Sequence, residues 1–222
     1  MNAPVLVLRN VLLSGGRTAD ISVVGGKVMH AGAGAGGQAG RTIDCTGLYV
    51  LPAAVDMHVH IRGGTQLAKE DWETGSKSAL AGGVTVIVDQ PNTIPPIITP
   101  EAHRARVLEA QSRTFCSFGI NSGVTQETPI RSMWRAGAMA FGETFFAPSS
   151  YGEALSREGL MSLLPEISRC GALATIHAEE VGQGDDHDLA SHDRIRSAAG
   201  ELRAVREVGG LNTAGCRLPV CH

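Results

Sequence analysis

From residue 50 onward the sequence alternates between short apolar, β-branched runs and longer stretches of helical periodicity, in units of about 30 residues. The strand-like runs are Tyr49–His60, Val84–Gln90, Phe115–Asn121, Ala138–Glu143, Ala172–His177 and Arg217–His222. Between them lie helical stretches at Glu70–Ala81, Pro100–Gln111, Thr128–Ala136, Gly159–Arg169 and Ser191–Val208. Successive parallel strands need a crossover of a dozen residues or more, and a helix supplies it. The order therefore predicts an α/β fold on a parallel sheet, doubly wound or closed as a barrel. The polar residues decide between these. His58, His60, Asn92, Glu143, His177 and His222 all fall at or just past the C-terminal end of a strand candidate. A (β/α)8 TIM barrel builds its site from such a ring of strand ends. Such a barrel takes about 250 residues, so residues 51–222 are expected to hold about six of its eight units and to stop at the sixth strand.

Residues 1–50 have a different rhythm. Short strands at Val5–Leu8, Val11–Ser14, Ile21–Val24, Lys27–Met29 and Thr42–Ile43 are separated by glycine pairs, and Gly25-Gly26 signals a hairpin. These residues are expected to form a separate small β-sandwich domain. Gly32, Gly34 and Gly37 have the spacing of a dinucleotide fingerprint, but Gln38-Ala39-Gly40-Arg41-Thr42 does not open a helix that could hold a pyrophosphate. The run is expected to be a surface loop.

Composition narrows the function classes. With 19 basic against 22 acidic residues the net charge is −3, which argues against a nucleic-acid partner. No apolar run approaches the roughly 18 residues of a membrane span, and the N-terminus has neither the charged start nor the cleavage site of a secretory signal. The five cysteines are odd in number and never spaced Cys-x-x-Cys, which predicts reduced thiols and a cytoplasmic protein.

The motif Val55-Asp56-Met57-His58-Val59-His60 carries the chemistry. Side chains alternate along a strand, so His58 and His60 share a face, the lumen if Val55, Met57 and Val59 pack outward under helices. Two imidazoles so placed can converge on one metal ion. His177 and His222 end two further strands, which strengthens the metal reading. His30, His103, His187 and His192 are expected in solvent.

Leu51-Pro52 through His60, Arg62, Lys69–Gly75, Ala81-Gly82-Gly83-Val84-Thr85 and Asp89-Gln90-Pro91-Asn92-Thr93 together resemble the dihydroorotase branch of the amidohydrolase superfamily. The likeness recurs around Gly137–Phe145 and His177–Glu180, and residues 1–50 resemble the small β-sandwich that flanks these barrels. The resemblance implies a hydrolase with one or two zinc ions that interconverts L-dihydroorotate and N-carbamoyl-L-aspartate in pyrimidine synthesis. It assigns His58 and His60 to the more buried metal and His177 and His222 to the second. Arg62 would grip the substrate carboxylate and Asn92 would donate a hydrogen bond to it. A proton-shuttling aspartate is expected on an eighth strand, beyond residue 222, which leaves the catalytic base unassigned and predicts that this chain alone is inactive. Where many relatives carry a carboxylated lysine on strand four, this sequence has Ala138; Glu143, the carboxylate at that strand end, is the candidate bridge, with a single-metal site as the alternative.

Two other readings stand beside this one. A hydantoinase or allantoinase shares the His-x-His strand and the Ala-Gly-Gly-Val-Thr stretch. A non-catalytic relative serving as an assembly partner would not need the bridging lysine. The sequence leaves the oligomeric state open, a homo-oligomer included.

Overall fold

The computed structural model describes residues 6–34, 40–145 and 154–221. The chain divides into two compact units, Met1–Ala53 and Ala54–His222.

In the first unit, β1 (Leu6–Leu12), β2 (Thr18–Val24), β3 (Lys27–Gly32) and β4 (Arg41–Asp44) form one sheet in the order β3-β2-β1-β4. The two strands expected at Val5–Leu8 and Val11–Ser14 are a single β1. It is bulged where the register shifts between Leu8 and Val11, with Asn10 at φ 59°. Gly25 and Gly26 both have positive φ, as a two-residue turn matched to strand twist requires, and β2 pairs antiparallel with β3 across them. Val11, Ala19, Ile21 and Cys45 form the buried core of this unit. A sandwich needs two layers, and the described residues hold one. The glycine loop lies partly outside them, at residues 35–39. The next element after it is β4, a strand and not a helix, in keeping with the rejected dinucleotide fingerprint.

The second unit runs β5 (Ala54–Val59), α1 (Trp72–Ala81), β6 (Val84–Asp89), α2 (Pro100–Arg113), β7 (Ser117–Ile120), α3 (Ile130–Ala136), β8 (Phe141–Phe145), α4 (Arg157–Arg169), β9 (Ala174–His177), α5 (Leu189–Ile195) and α6 (Ala198–Leu211). It is an α/β structure with every strand pairing parallel. β5, β6 and β7 form one sheet and β8 pairs with β9. Ser122 bridges to Phe141, and Leu173 and Ile176 bridge to Arg217 and Val220, so each strand's hydrogen-bonded neighbour is the next in the chain. The sixth strand candidate, Arg217–His222, is reduced to these bridges because Pro219 has no N–H for a ladder. Its terminal His222 lies outside the described residues.

Local sequence explains most helix boundaries. Asp71 and Thr74 make a capping box, so α1 starts two residues later than expected. Thr99 caps α2 just before Pro100, as its sequence predicts. Leu160, Leu164 and Ile167 of α4 form the expected stripe and are fully buried in a core shared with Phe141, Ile176 and Trp72. The helix expected over Ser191–Val208 is two helices, because Ser197 caps a new one after α5 stops at Ile195. Val55 and Met57 do not pack under helices: they are 56% and 62% exposed, since β5 ends its sheet and has only β6 as a neighbour among the described residues. His103, expected in solvent, is 1% exposed within α2.

A buried ion pair ties β6 to α2. Asp89 is fully buried; its Oδ2 accepts from Arg106 Nε at 2.9 Å and forms an ion pair with Arg106 Nη2 at 2.7 Å. Its Oδ1 accepts from the Ile61 amide at 2.8 Å, and the Arg106 guanidinium lies 4.8 Å above the Trp72 ring. Burial pushes the Asp89 carboxyl up to about 7 against the pull of Arg106. Because this exceeds the usual 3.8, the folded chain holds the proton more tightly than the unfolded one. The stability gained from that proton is full below pH 3.8 and is lost as the pH rises toward 7. Arg106→Met removes the cation that limits this loss. Urea unfolding should show a destabilisation of about 3–5 kcal/mol near pH 8, and a distinctly smaller one near pH 5, where Asp89 can protonate.

Candidate metal centre

Four of the five residues predicted to bind metal come together, with Glu143 at the centre. Glu143, in the middle of β8, is only 2% exposed, and its neighbours are imidazoles from two other strand ends. His58 Nε2 and His60 Nε2, from the end of β5, lie 3.7 and 3.8 Å from Glu143 Oε2. His177 Nδ1, from the end of β9, donates to Glu143 Oε1 at 2.7 Å. The backbone makes this closeness possible. Gly142 has φ +132°, and a Cβ there would collide with the carbonyl oxygen of Thr175, so a glycine lets β8 press against β9. Phe145 stacks on the His177 ring at 4.7 Å and gives the site an apolar wall.

Ala138 is not at this strand end. It lies ahead of β8, buried in the core, whereas Glu143 lies within that strand.

Two of the imidazoles are also held on their far side, His60 by Asn92 and His177 by Glu179. His60 Nδ1 donates to Asn92 Oδ1 at 2.7 Å, which turns its Nε2 toward Glu143. Arg62 Nη1 donates to Asn92 O at 3.2 Å and reaches Asn92 Oδ1 at 3.4 Å. Arg62 therefore stands one side chain away from His60, and Asn92 links the two. Glu70 is engaged elsewhere: it accepts from the Asp71 amide and the Thr74 hydroxyl at the start of α1.

Below the ring, Gln90 and Asn121 are buried and connected: Asn121 Nδ2 donates to Gln90 Oε1 at 3.2 Å, and Gln90 Nε2 donates to Met57 O at 3.2 Å. Neither was expected at the site, although their place at strand ends was a signal that could have found them.

The electrostatics arise from this packing. Burial alone would raise the Glu143 carboxyl, but the His177 hydrogen bond and the charges of His58, His177 and His60 hold it below its usual value. The Glu143 hydrogen bond raises His177. Burial lowers His60, and Arg62 adds to that while Asn92 opposes it. The donor set fits a zinc-type ion. The ligand atoms of His58, His60 and Glu143 all lie within 4.8 Å of one another, and imidazole nitrogens with a carboxylate oxygen are standard zinc donors.

The sequence comparisons agree in direction. No family model matches the chain. It is 41% identical over 219 residues to a dihydroorotase of Methanosarcina acetivorans, covering 93% of this chain and 46% of that protein. It is 34% identical over 221 residues to an L-hydantoinase of Paenarthrobacter aurescens, covering 92% and 48% respectively. An L-hydantoinase (dihydropyrimidinase) structure from Arthrobacter aurescens superposes with a TM-score of 0.89 at 30% identity, over 99% of this chain and 53% of that one. The chain thus spans about half the length of the curated relatives it matches.

In the metal-free chain, NMR titration should find His177 with a midpoint above 6.5 and His60 with one below it. The His177–Glu143 pair should stabilise the fold most fully between pH 4.5 and 6.5, losing that contribution as the pH rises through the raised His177 value or falls through the lowered Glu143 one. Glu143→Gln should bring the His177 midpoint down.

Proposed function

We propose that this chain, which belongs to the amidohydrolase superfamily with the dihydroorotases and hydantoinases it matches, carries the zinc-binding and carboxylate-binding half of a dihydroorotase-type hydrolase. On this reading its parallel strands are six consecutive units of a (β/α)8 barrel, preceded by a small β domain. The single observation that carries it is the buried Glu143 carboxylate ringed by His58, His60 and His177.

His58, His60, Glu143, His177 and His222 are the proposed ligands. Glu143 would serve as the oxygen ligand in place of the carboxylated lysine of many relatives, bridging if the site holds two ions and as a plain carboxylate ligand if it holds one. Bound there, zinc supplies Lewis acidity: it brings a water's pKa to about 7 and polarises the amide carbonyl. The remaining work belongs to the protein. Arg62 offers a two-pronged grip for a substrate carboxylate. Asn92 fixes Arg62 and His60 in one frame, so the anion and the scissile amide are held in register. Phe145 shields the His177 side of the site from water.

The substrate class is a cyclic amide bearing a carboxylate, with L-dihydroorotate the first choice, in a cytoplasmic enzyme of pyrimidine synthesis. The hydantoinase reading draws on the 0.89 TM-score to an L-hydantoinase. Arg62 beside the imidazoles argues for dihydroorotate, because a simple hydantoin has no carboxylate to engage it. No helix among the described residues is long and apolar enough to cross a membrane.

Loaded with zinc and then dialysed, the chain should retain metal by elemental analysis, and His58→Ala should lose most of it. A chain that holds no zinc would favour the assembly-partner reading. Calorimetry on the zinc-loaded chain should show L-dihydroorotate binding more tightly than hydantoin or allantoin. Arg62→Lys should cut the dihydroorotate affinity by about tenfold or more, since an ammonium lacks the planar fork, and leave hydantoin binding unchanged. Preference for hydantoin in the parent would move the assignment to the second reading.

A further inference from the structure

His177 is gripped from both sides. While Nδ1 faces Glu143, Nε2 lies 3.3 Å from Glu179 Oε2. The other oxygen of Glu179 accepts from Arg196 Nη1. Arg196 in turn extends its Nε toward Asp186 Oδ2 at 3.4 Å, and Asp186 Oδ1 is 3.0 Å from His192 Nδ1. Arg196 stands at the break between α5 and α6, with φ −117° and ψ 59°. The Gly182 amide donates to Ile195 O at 2.6 Å, so the loop after β9 is fastened to that break. The next carboxylate, Glu180, is held separately by Arg203 through Nε and Nη2 at 2.9 and 2.8 Å. Of the two consecutive glutamates, Glu179 is the one paired with the imidazole.

We infer that Glu179 is the positioning residue for His177: it accepts from the Nε2–H, so that Nδ1 is the nitrogen offered to a metal ion beside Glu143, and Arg196 holds the carboxylate in place. This rests on the metal role proposed for His177. An imidazole whose distal N–H is held by a carboxylate keeps one tautomer and one ring orientation and becomes a better ligand. His60 has the converse arrangement, Nδ1 on Asn92 and Nε2 inward, so the two rings are fixed through opposite nitrogens. The proton balance is simple. When a metal ion takes the Nδ1 lone pair, the proton shared with Glu143 leaves to solvent, and the Nε2 proton stays in its hydrogen bond to Glu179.

The test measures zinc affinity by competition with a chromophoric chelator for the parent chain, Glu179→Ala, Glu179→Gln, Arg196→Met and Arg203→Met. Glu179→Ala should weaken zinc binding about 10- to 100-fold. Glu179→Gln, still an acceptor, should recover part of that, Arg196→Met should fall between parent and Glu179→Ala, and Arg203→Met should match the parent. Nitrogen-edited NMR of the zinc-loaded chain should show a slowly exchanging Nε2–H on His177 that Glu179→Ala loses, a signature that altered packing alone would not produce. Should Glu179→Ala fail to fold, Glu179→Gln and Arg196→Met carry the comparison. A parent that binds zinc with Glu179→Ala binding it equally well, or with zinc on Nε2 of His177, overturns the inference alone. A parent that binds no zinc overturns the metal reading and the inference with it.

Discussion

A carboxylate that is almost completely buried has to be answered by its neighbours, and Glu143 is answered by imidazoles. Desolvation of an unpaired carboxylate costs several kcal/mol even after relaxation, so β8 can carry Glu143 only if β5 and β9 deliver partners to the same point. His58 and His60 come from one strand end and His177 from another, and each turns a ring nitrogen to the same two oxygens. That requirement fixes the height of three strands relative to one another. It also explains a glycine at position 142, since only a residue without Cβ lets β8 approach Thr175 closely enough.

A second buried acid does the corresponding work around Arg62. Asp89 closes β6, and its two oxygens divide their labour. Oδ2 binds Arg106 of α2, while Oδ1 holds the Ile61 amide. Ile61 lies between His60 and Arg62, so the same carboxylate that anchors a helix also sets where the His60 imidazole ends and the Arg62 guanidinium begins. Arg62 is then pinned by Asn92, three residues after Asp89. Loss of the Asp89 pair would therefore disturb the spacing between His60 and Arg62 as well as the core beneath Trp72.

The strand-and-helix alternation was legible because periodicity and capping both act locally. Thr99 before Pro100 and the stripe Leu160, Leu164 and Ile167 required no tertiary information. Glu143 was legible only as a carboxylate at a strand end, since its contacts come from residues 34 to 85 positions away. Three features were hidden for the same reason. The break at Arg196 sits inside a sequence with continuous helical character, and only Ser197 as a cap and the pull of Glu179 mark it. His103 looks like a first-turn surface residue, yet α2 turns it into the core. Val55 and Met57 alternate as buried residues should, but pattern cannot report whether a strand has neighbours on both sides.

The hydrogen bond between His177 and Glu143 also sets the terms on which a cation could enter. In the metal-free geometry the Nδ1 lone pair of His177 is occupied by a proton shared with Glu143, and both atoms are the ones proposed as ligands. A metal ion and that proton compete for the same electrons, so binding must release the proton, and affinity must fall as the pH drops below the raised value of His177. His60 contributes the opposite dependence. Burial and Arg62 keep it neutral, with its Nε2 lone pair already directed inward by Asn92. The two proposed ligands are thus unequally prepared: His60 at the end of β5 needs no deprotonation near neutral pH, and His177 on β9 does. Glu179 and Arg196 bear on the second of these, because a carboxylate behind His177 makes Nδ1 the nitrogen that gives up its proton.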